Sequence, residues 1–359
     1  MASVIESFTG LFESRRRVAA FVVGLLAVAA VPFTTTAYIT DIVFTGLVFV
    51  VLGVSWNLVA GYAGQISLGH HAFFGIGAFV SAWLTTPTRA GLPEAIQSPV
   101  VVAVLGGALA AGLLAAVLGP ILFRLTGHYF AIGTLAMASI VQLVLLDQRK
   151  YSGGSTGLFV SNEMSKPTIF LLMVVATVVV VLATYAIVNS RSGLGMRAVH
   201  DDESAASSLG VNPLKYKLYA FVVSAAMAGV AGGFYAQFNL FVSPESTVSV
   251  VWLVDTLVVV ILGGMGTMAG PVLGAGLFLA LDNGLRQFAG EFATVVEGAL
   301  IIAFIVFVPG GLYNLIVDTT VADVRNGLAD FRREVSEDGI VAALSRRFGR
   351  DQARDHSSE

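Results

Sequence analysis

The polar side chains of this chain that could do chemistry fall in three places. The first is the acidic triplet Asp201, Asp202 and Glu203, followed by Ser204, Ala205, Ala206, Ser207, Ser208, Leu209 and Gly210. Asp201 or Asp202 can cap a helix by accepting hydrogen bonds from the free N–H groups of its first turn. Glu203 places negative charge at the positive end of that helix. Gly210 can take the left-handed conformation that ends a helix, and Asn212-Pro213 blocks its continuation. The predicted product is a rigid helix of about two turns with a small-residue face, narrow enough to enter a groove on a soluble partner. The competing reading is a surface helix that only joins its neighbours.

The second place holds Asn57, Gln65, Ser67, His70 and His71 among Gly61, Gly64 and Gly69. Glycines permit a break in a membrane helix, and the freed backbone groups then need polar partners or water. Two readings follow: part of a pathway or gate, or a tight turn whose polar residues satisfy its own backbone. The turn is the preferred one. Consecutive histidines on a helix point in different directions, so no metal site is expected. The third place is Asp255, the only acid of its apolar span, followed by glycine-rich residues 262–271. A carboxylate at the centre of a membrane helix costs about 2.5–3.5 kcal/mol and usually faces an interior or a cavity. Near the outer end of its span it can instead reach the headgroups. Asn57, Gln65, Ser67, His70 and Asp255 are therefore the candidate pathway or gate residues.

Absences narrow the chemistry. None of the four lysines, Lys150, Lys166, Lys215 and Lys217, follows a glycine, so no G-x-x-x-x-G-K-[ST] phosphate loop exists in this sequence. Work driven by ATP must take its ATPase from another chain, and no cofactor is expected in this one. There is no cysteine, which removes disulfides, thiolate metal sites and cysteine nucleophiles. The sequence lacks HExxH, so no catalytic residue and no enzyme activity are expected. A net charge of −3 gives no reason to expect nucleic acid.

The elements that hold these residues are membrane helices. The 359 residues are 56% hydrophobic and 12% charged, against about 25% charged in a soluble domain. Runs of 18 or more apolar residues suffice to cross about 30 Å of hydrocarbon. The expected fold is all-α and polytopic, with about ten spans (8–10) near residues 18–36, 40–60, 68–86, 99–123, 128–147, 168–188, 217–238, 250–266, 267–287 and 292–316. The third and eighth are short and glycine-bounded, and either could be re-entrant. Gly270 and Gly274 have the small-xxx-small spacing that lets membrane helices approach closely.

With a cytoplasmic N-terminus, 15 of the 20 basic residues fall inside and five outside (Arg89, Arg149, Lys150, Lys166 and Arg286). That asymmetry puts both termini and residues 190–216 in the cytoplasm of a multi-pass plasma-membrane protein. The organisation is then a cytoplasmic segment 1–17, a transmembrane domain 18–317 containing the loop 190–216, and a polar cytoplasmic tail 318–359. Residues 151–167, with Glu163 and Lys166, would face outward as a contact surface.

The sequence also resembles a known family. Asn57-Leu-Val-Ala-Gly-Tyr-Ala-Gly-Gln-Ile-Ser-Leu-Gly-His70 and Ala72-Phe-Phe-Gly-Ile-Gly-Ala78 are similar to the early signature of LivM-type permease subunits of branched-chain amino acid ABC transporters. His128-Tyr-Phe-Ala-Ile-Gly-Thr-Leu135 and Gly153-Gly-Ser-Thr-Gly157 resemble its middle. Ser208-Leu-Gly-Val-Asn-Pro213, Phe241-Val-Ser-Pro-Glu-Ser246, Leu262-Gly-Gly-Met-Gly-Thr267 and Pro309-Gly-Gly-Leu312 resemble its second half. In this order the motifs cover roughly residues 40–316 and are highly specific.

The resemblance implies the ABC importer permease fold and a heteromeric importer. An external binding protein would deliver leucine, isoleucine or valine, this chain and a paralogous permease would form the pathway, and two cytoplasmic ATP-binding subunits would drive it. Residues 201–210 would be the coupling helix received by an ATPase. Permeases for urea or short amides are close enough in kind to stand as the alternative substrate class. An autonomous channel or ion-coupled transporter would more often carry intramembrane acids or charge pairs, and would not need residues 201–210 as a helix.

Overall fold

The computed structural model describes residues 15–289 with 298–299, 302 and 311–313. It is almost wholly helical. α1 (Arg15–Thr34) and α2 (Ala37–Asn57) are joined at Thr36, whose side chain accepts from the Ile39 N–H and starts the second helix. α2 runs on through a π-helical turn at Leu58–Tyr62. α3 (His70–Thr85), α4 (Val100–Leu122) and α5 (His128–Asp147) follow, then α6 (Lys166–Val188), which Ser165 caps through the Thr168 N–H. Two short helices, α7 (Arg191–Asp201) and α8 (Glu203–Ser208), lead into the long α9 (Pro213–Asn239). A helical turn at Pro244–Thr247 precedes α10 (Val250–Gly263), and α11 (Gly270–Ala289) completes the order.

Nine of the expected spans coincide with these helices, and the tenth, 292–316, lies almost entirely outside the described residues. Among the described residues six helices are long and apolar enough to cross a membrane, and the most buried is Ala37–Tyr62. The two spans expected to be short differ. α3 has only 16 residues and is buried along most of its length, so it is a core helix walled by others. The eighth is lengthened by the turn before it, and Pro244–Gly263 reaches crossing length. Helix α1 starts at Arg15, inside the segment expected to precede it. The terminal segment before Arg15 and the tail 318–359 lie outside the described residues.

Helices α3, α4 and α9 form the tightest group. A Cβ at Gly77 of α3 would overlap the Gly229 backbone of α9, and one at Gly107 of α4 would meet the Gly77 backbone. Lipid gives no hydrophobic drive for helix association, so close backbone approach and dispersion must supply it. The same device joins α10 to α11: a Cβ at Gly274 would overlap the Val259 carbonyl, and one at Gly263 the Gly270 carbonyl. The outer faces of α4, α5 and α6 keep Leu109, Leu113, Val117, Ile140, Leu143 and Val179 exposed, as suits a lipid-facing surface.

At the end of the bundle away from α8, β1 (Leu158–Phe159) and β2 (Phe241–Val242) pair antiparallel. This small sheet was not foreseen. It ties the loop after α5 to the end of α9. Beneath it Gln237, fully buried, donates to Ser81 Oγ at 2.9 Å and Thr85 Oγ1 at 3.0 Å and accepts from Asn162 Nδ2 at 3.1 Å.

Candidate functional site

The loop between α6 and α9 contains two helices where the sequence showed one. Ser190 caps α7, and that helix ends on Asp201. Asp202 is the N-cap of α8: its Oδ1 accepts from the Ala205 N–H at 2.8 Å. The choice between the two aspartates is thus settled, because Asp201 is still helical when Asp202 takes an extended conformation. Helix α8 ends at Ser208, one residue short of the expected Leu209, which becomes its C-cap. Gly210 stands at φ +83°, open on its Cβ side, and Asn212 caps α9 through the Lys215 N–H at 3.2 Å.

Three features of this loop carry consequences. Ala206 is buried against the protein, while Leu209 is 85% exposed, more than any other large apolar side chain described. Glu203 forms a salt bridge with Lys217 in the first turns of α9, and Lys217 itself is almost buried. The acid read as a partner of the helix dipole therefore also fastens α8 to a membrane helix. Ser204 and Ala205 are on the same short helix, and Ser208 Oγ donates back to the Ser204 carbonyl at 3.0 Å.

The second place in the sequence becomes a buried joint at the same end of the bundle. Asn57, 2% exposed, accepts from the Gly266 N–H at 2.8 Å and donates to the Thr267 carbonyl at 2.9 Å. One side-chain amide thus satisfies two backbone groups of the turn between α10 and α11. Trp56 Nε1 donates to the Ser67 carbonyl at 2.7 Å, Ser67 Oγ accepts from the Gly69 N–H, and Thr134 Oγ1 accepts from the Leu68 N–H at 2.9 Å. Gln65 donates to the neighbouring Gly64 carbonyl at 3.1 Å. Gly311 meets the same turn, where a Cβ on it would lie 2.5 Å from Gly264 backbone atoms.

Most of these polar groups therefore satisfy backbone, the arrangement of a turn. His70 and His71 are buried at the start of α3; both His70 nitrogens and His71 Nδ1 lack a hydrogen-bond partner. The joint also touches the loop above it. Arg197 of α7 lies over the Tyr62 ring at 5.7 Å, and a side chain at Gly64, φ +66°, would run into His200. This contact between residues far apart in the chain had no signal in the sequence.

Asp255 lies apart from both, on α10 toward the opposite end, and lines a cavity there. The structure thus separates the five candidate pathway residues: four belong to the joint and one to the cavity. The loop 151–167, expected to face outward, has Gly153 and Gly154 at positive φ and the Ser152 hydroxyl accepting from the Gly154 N–H at 2.9 Å.

Comparison with known proteins decides the family. The model for the branched-chain amino acid transport system / permease component matches residues 38–306. The chain belongs to this permease family. It is 31% identical over 327 residues to the high-affinity branched-chain amino acid transport system permease protein LivM of Escherichia coli (strain K12), covering 81% of this chain and 74% of that one. It is also similar to the corresponding LivH protein of Salmonella typhimurium, at 24% over 284 residues, 74% of this chain and 91% of that one. A weaker relative is the fructose import permease protein FruG of Bifidobacterium longum, 27% identical over 193 residues, 49% of this chain and 56% of that one. No solved structure matches. The permease is therefore a multi-pass membrane protein of a transport family. The match begins at the start of α2, so α1 lies outside the residues the family model matches.

Proposed function

We propose that the permease is one transmembrane subunit of an ATP-driven ABC importer for leucine, isoleucine and valine. A LivH-like permease is its partner in the bilayer, two cytoplasmic ATP-binding subunits drive the pair, and an external binding protein delivers the substrate. ATP is bound by the partners and not by this chain. Both termini and the α7–α8 loop face the cytoplasm in this reading, which the distribution of basic residues supports.

The observation that carries the reading is Leu209. A leucine left 85% exposed on a polar loop costs solvation that a groove on a partner would recover, at about 25 cal/mol per Å² buried. It stands on a helix capped at both ends and locked to α9 by Glu203 and Lys217, so force applied to α8 reaches a membrane helix directly. Asp201, Asp202, Glu203, Ser204, Ala205, Leu209 and Gly210 form the docking element, and Asn57 carries its movement to the turn between α10 and α11.

The test is to measure leucine uptake and ATP hydrolysis in membrane vesicles holding the whole transporter. Glu203→Lys and Gly210→Val are compared with wild type. Uptake should fall while ATP hydrolysis no longer follows substrate. Normal uptake with normal recruitment of the ATP-binding subunits in both variants would sink the docking assignment.

A further inference from the structure

The joint between α2 and α3 pairs its polar groups with backbone, and His70 is the exception. Asn57, Ser67 and Thr134 each serve a backbone group. His70 is 1% exposed, and neither ring nitrogen has a hydrogen-bond partner among the described residues. His71 beside it is also buried and lacks a partner at Nδ1. A neutral imidazole carries one donor and one acceptor. Burying both without partners destabilises the arrangement that does so, and such groups in a native structure call for a reason.

The surroundings of His70 differ on its two sides. Its ring meets Phe73 edge-on at 6.0 Å, and Phe73, Phe123 and Phe130 gather around Phe221 at 5.3, 5.5 and 6.1 Å. These rings offer neither oxygen nor nitrogen to an imidazole. On the other side residues 63–69 lead into His70 without helix or strand. They are held to α5 where Thr134 Oγ1 accepts from the Leu68 N–H at 2.9 Å and where Gly69 packs on the Thr134 carbonyl. At their other end His200 of α7 rests on Gly64. An irregular segment of this kind can move without breaking a helix, and the loop proposed to dock the ATPase already touches it.

We infer that this joint is a gate, shut in this structure, and that His70 is the side chain its opening exposes to water. The inference rests on the import reading above and gives the movement of α7 and α8 a destination. Lifting His200 from Gly64 draws residues 63–69 off Thr134 and lets water reach the imidazole. His70 then gains hydrogen bonds only in the open state, so it biases the joint against staying shut.

The experiment treats the complete transporter in proteoliposomes with diethyl pyrocarbonate, which acylates accessible imidazoles, and reads each histidine by mass spectrometry. It is run without nucleotide and after trapping with ATP and vanadate, and leucine uptake by the same preparation is recorded. His128, exposed at the start of α5, is the internal control and should react alike in both states. His70 should react about tenfold or more faster in one state than in the other, since a two-state protein holds its minor form at about 10% or less. His70→Leu keeps the bulk of the side chain and removes both polar atoms. In the state that protects His70, its thermal unfolding should shift upward while uptake falls about fivefold or more. His70→Asn keeps a donor and an acceptor and should retain most of the uptake. Equal reactivity of His70 in the two states overturns the gate, and this arm decides alone if His70→Leu does not reach the membrane. Full uptake by His70→Leu overturns it too, as does a downward shift, which would mean that the imidazole is satisfied where it lies. Equal reactivity in a transporter that imports leucine removes only this inference. Absence of leucine uptake in the wild type removes the import reading and the inference together.

Discussion

Two polar segments lie at the same end of the permease and are built in opposite ways. The loop α7–α8 closes on itself: Asp202 on Ala205, Ser208 on Ser204, Asn212 on Lys215. Its apolar tip, Leu209, is left in solvent. The joint at residues 56–71 borrows distant partners, Thr134 for Leu68 and the Gly266–Thr267 turn for Asn57, and is mostly buried, with Ile66 its one exposed residue. A segment satisfied by its neighbours keeps a surface for another molecule. A segment satisfied by distant backbone holds the molecule's own helices in register. The proposed coupling uses both, an external handle and an internal linkage, and the Arg197–Tyr62 and His200–Gly64 contacts join one to the other.

The contrast can be broken by substitution, and the largest effect should come from the joint. Asn57→Ala leaves the part-buried Gly266 N–H and Thr267 carbonyl without their partner, at up to about 1–3 kcal/mol for each orphaned group. Thermal unfolding of the purified transporter in detergent should shift clearly downward. An unshifted transition would mean that the joint is satisfied in some other way.

Leu209→Ser should leave that transition in place, because nothing among the described residues covers the side chain. Its effect should appear in association with the ATP-binding subunits, weakened by about tenfold or more as for an apolar anchor at an interface. A pull-down from solubilised membranes at graded concentrations measures it. Equal retention of the ATP-binding subunits would show that α8 is only a connector.

Gln237→Ala provides an internal control at the opposite end. It removes the amide that serves Ser81, Thr85 and Asn162, with an expected loss of about 1–3 kcal/mol in the same unfolding assay. Recruitment of ATP-binding subunits per folded molecule should be unchanged, so a fall there would blur the division between the two ends.

The smallest effects belong to the self-contained loop. Asp202→Ala removes one cap, for about 1 kcal/mol of local helix stability. Lys217→Met removes a salt bridge whose Glu203 side chain is half exposed, so solvent screening limits the stability effect to about 1 kcal/mol or less. Coupling should suffer more than stability, read as ATP hydrolysis per leucine imported. Tight coupling in Lys217→Met would show that α8 transmits force by another contact.

Helix positions, the exposed loop helix and its stop were legible in the sequence because each rests on local chemistry. Long apolar runs leave few states other than a membrane helix, and caps act over three or four residues. Where two local signals compete, resolution is finer than the sequence allows: Asp201 and Asp202 are equivalent caps until α7 is seen to end between them. That α3 is a buried core helix, that Asn57 serves a turn about two hundred residues on, and that Asp255 meets Asp41, Glu245 and Asp282 around one cavity are matters of tertiary structure. Each is a relation between backbone or side chains far apart in the chain. In lipid such relations arise from close helix packing at Gly77–Gly229 and Gly263–Gly270, for which hydropathy carries no signal.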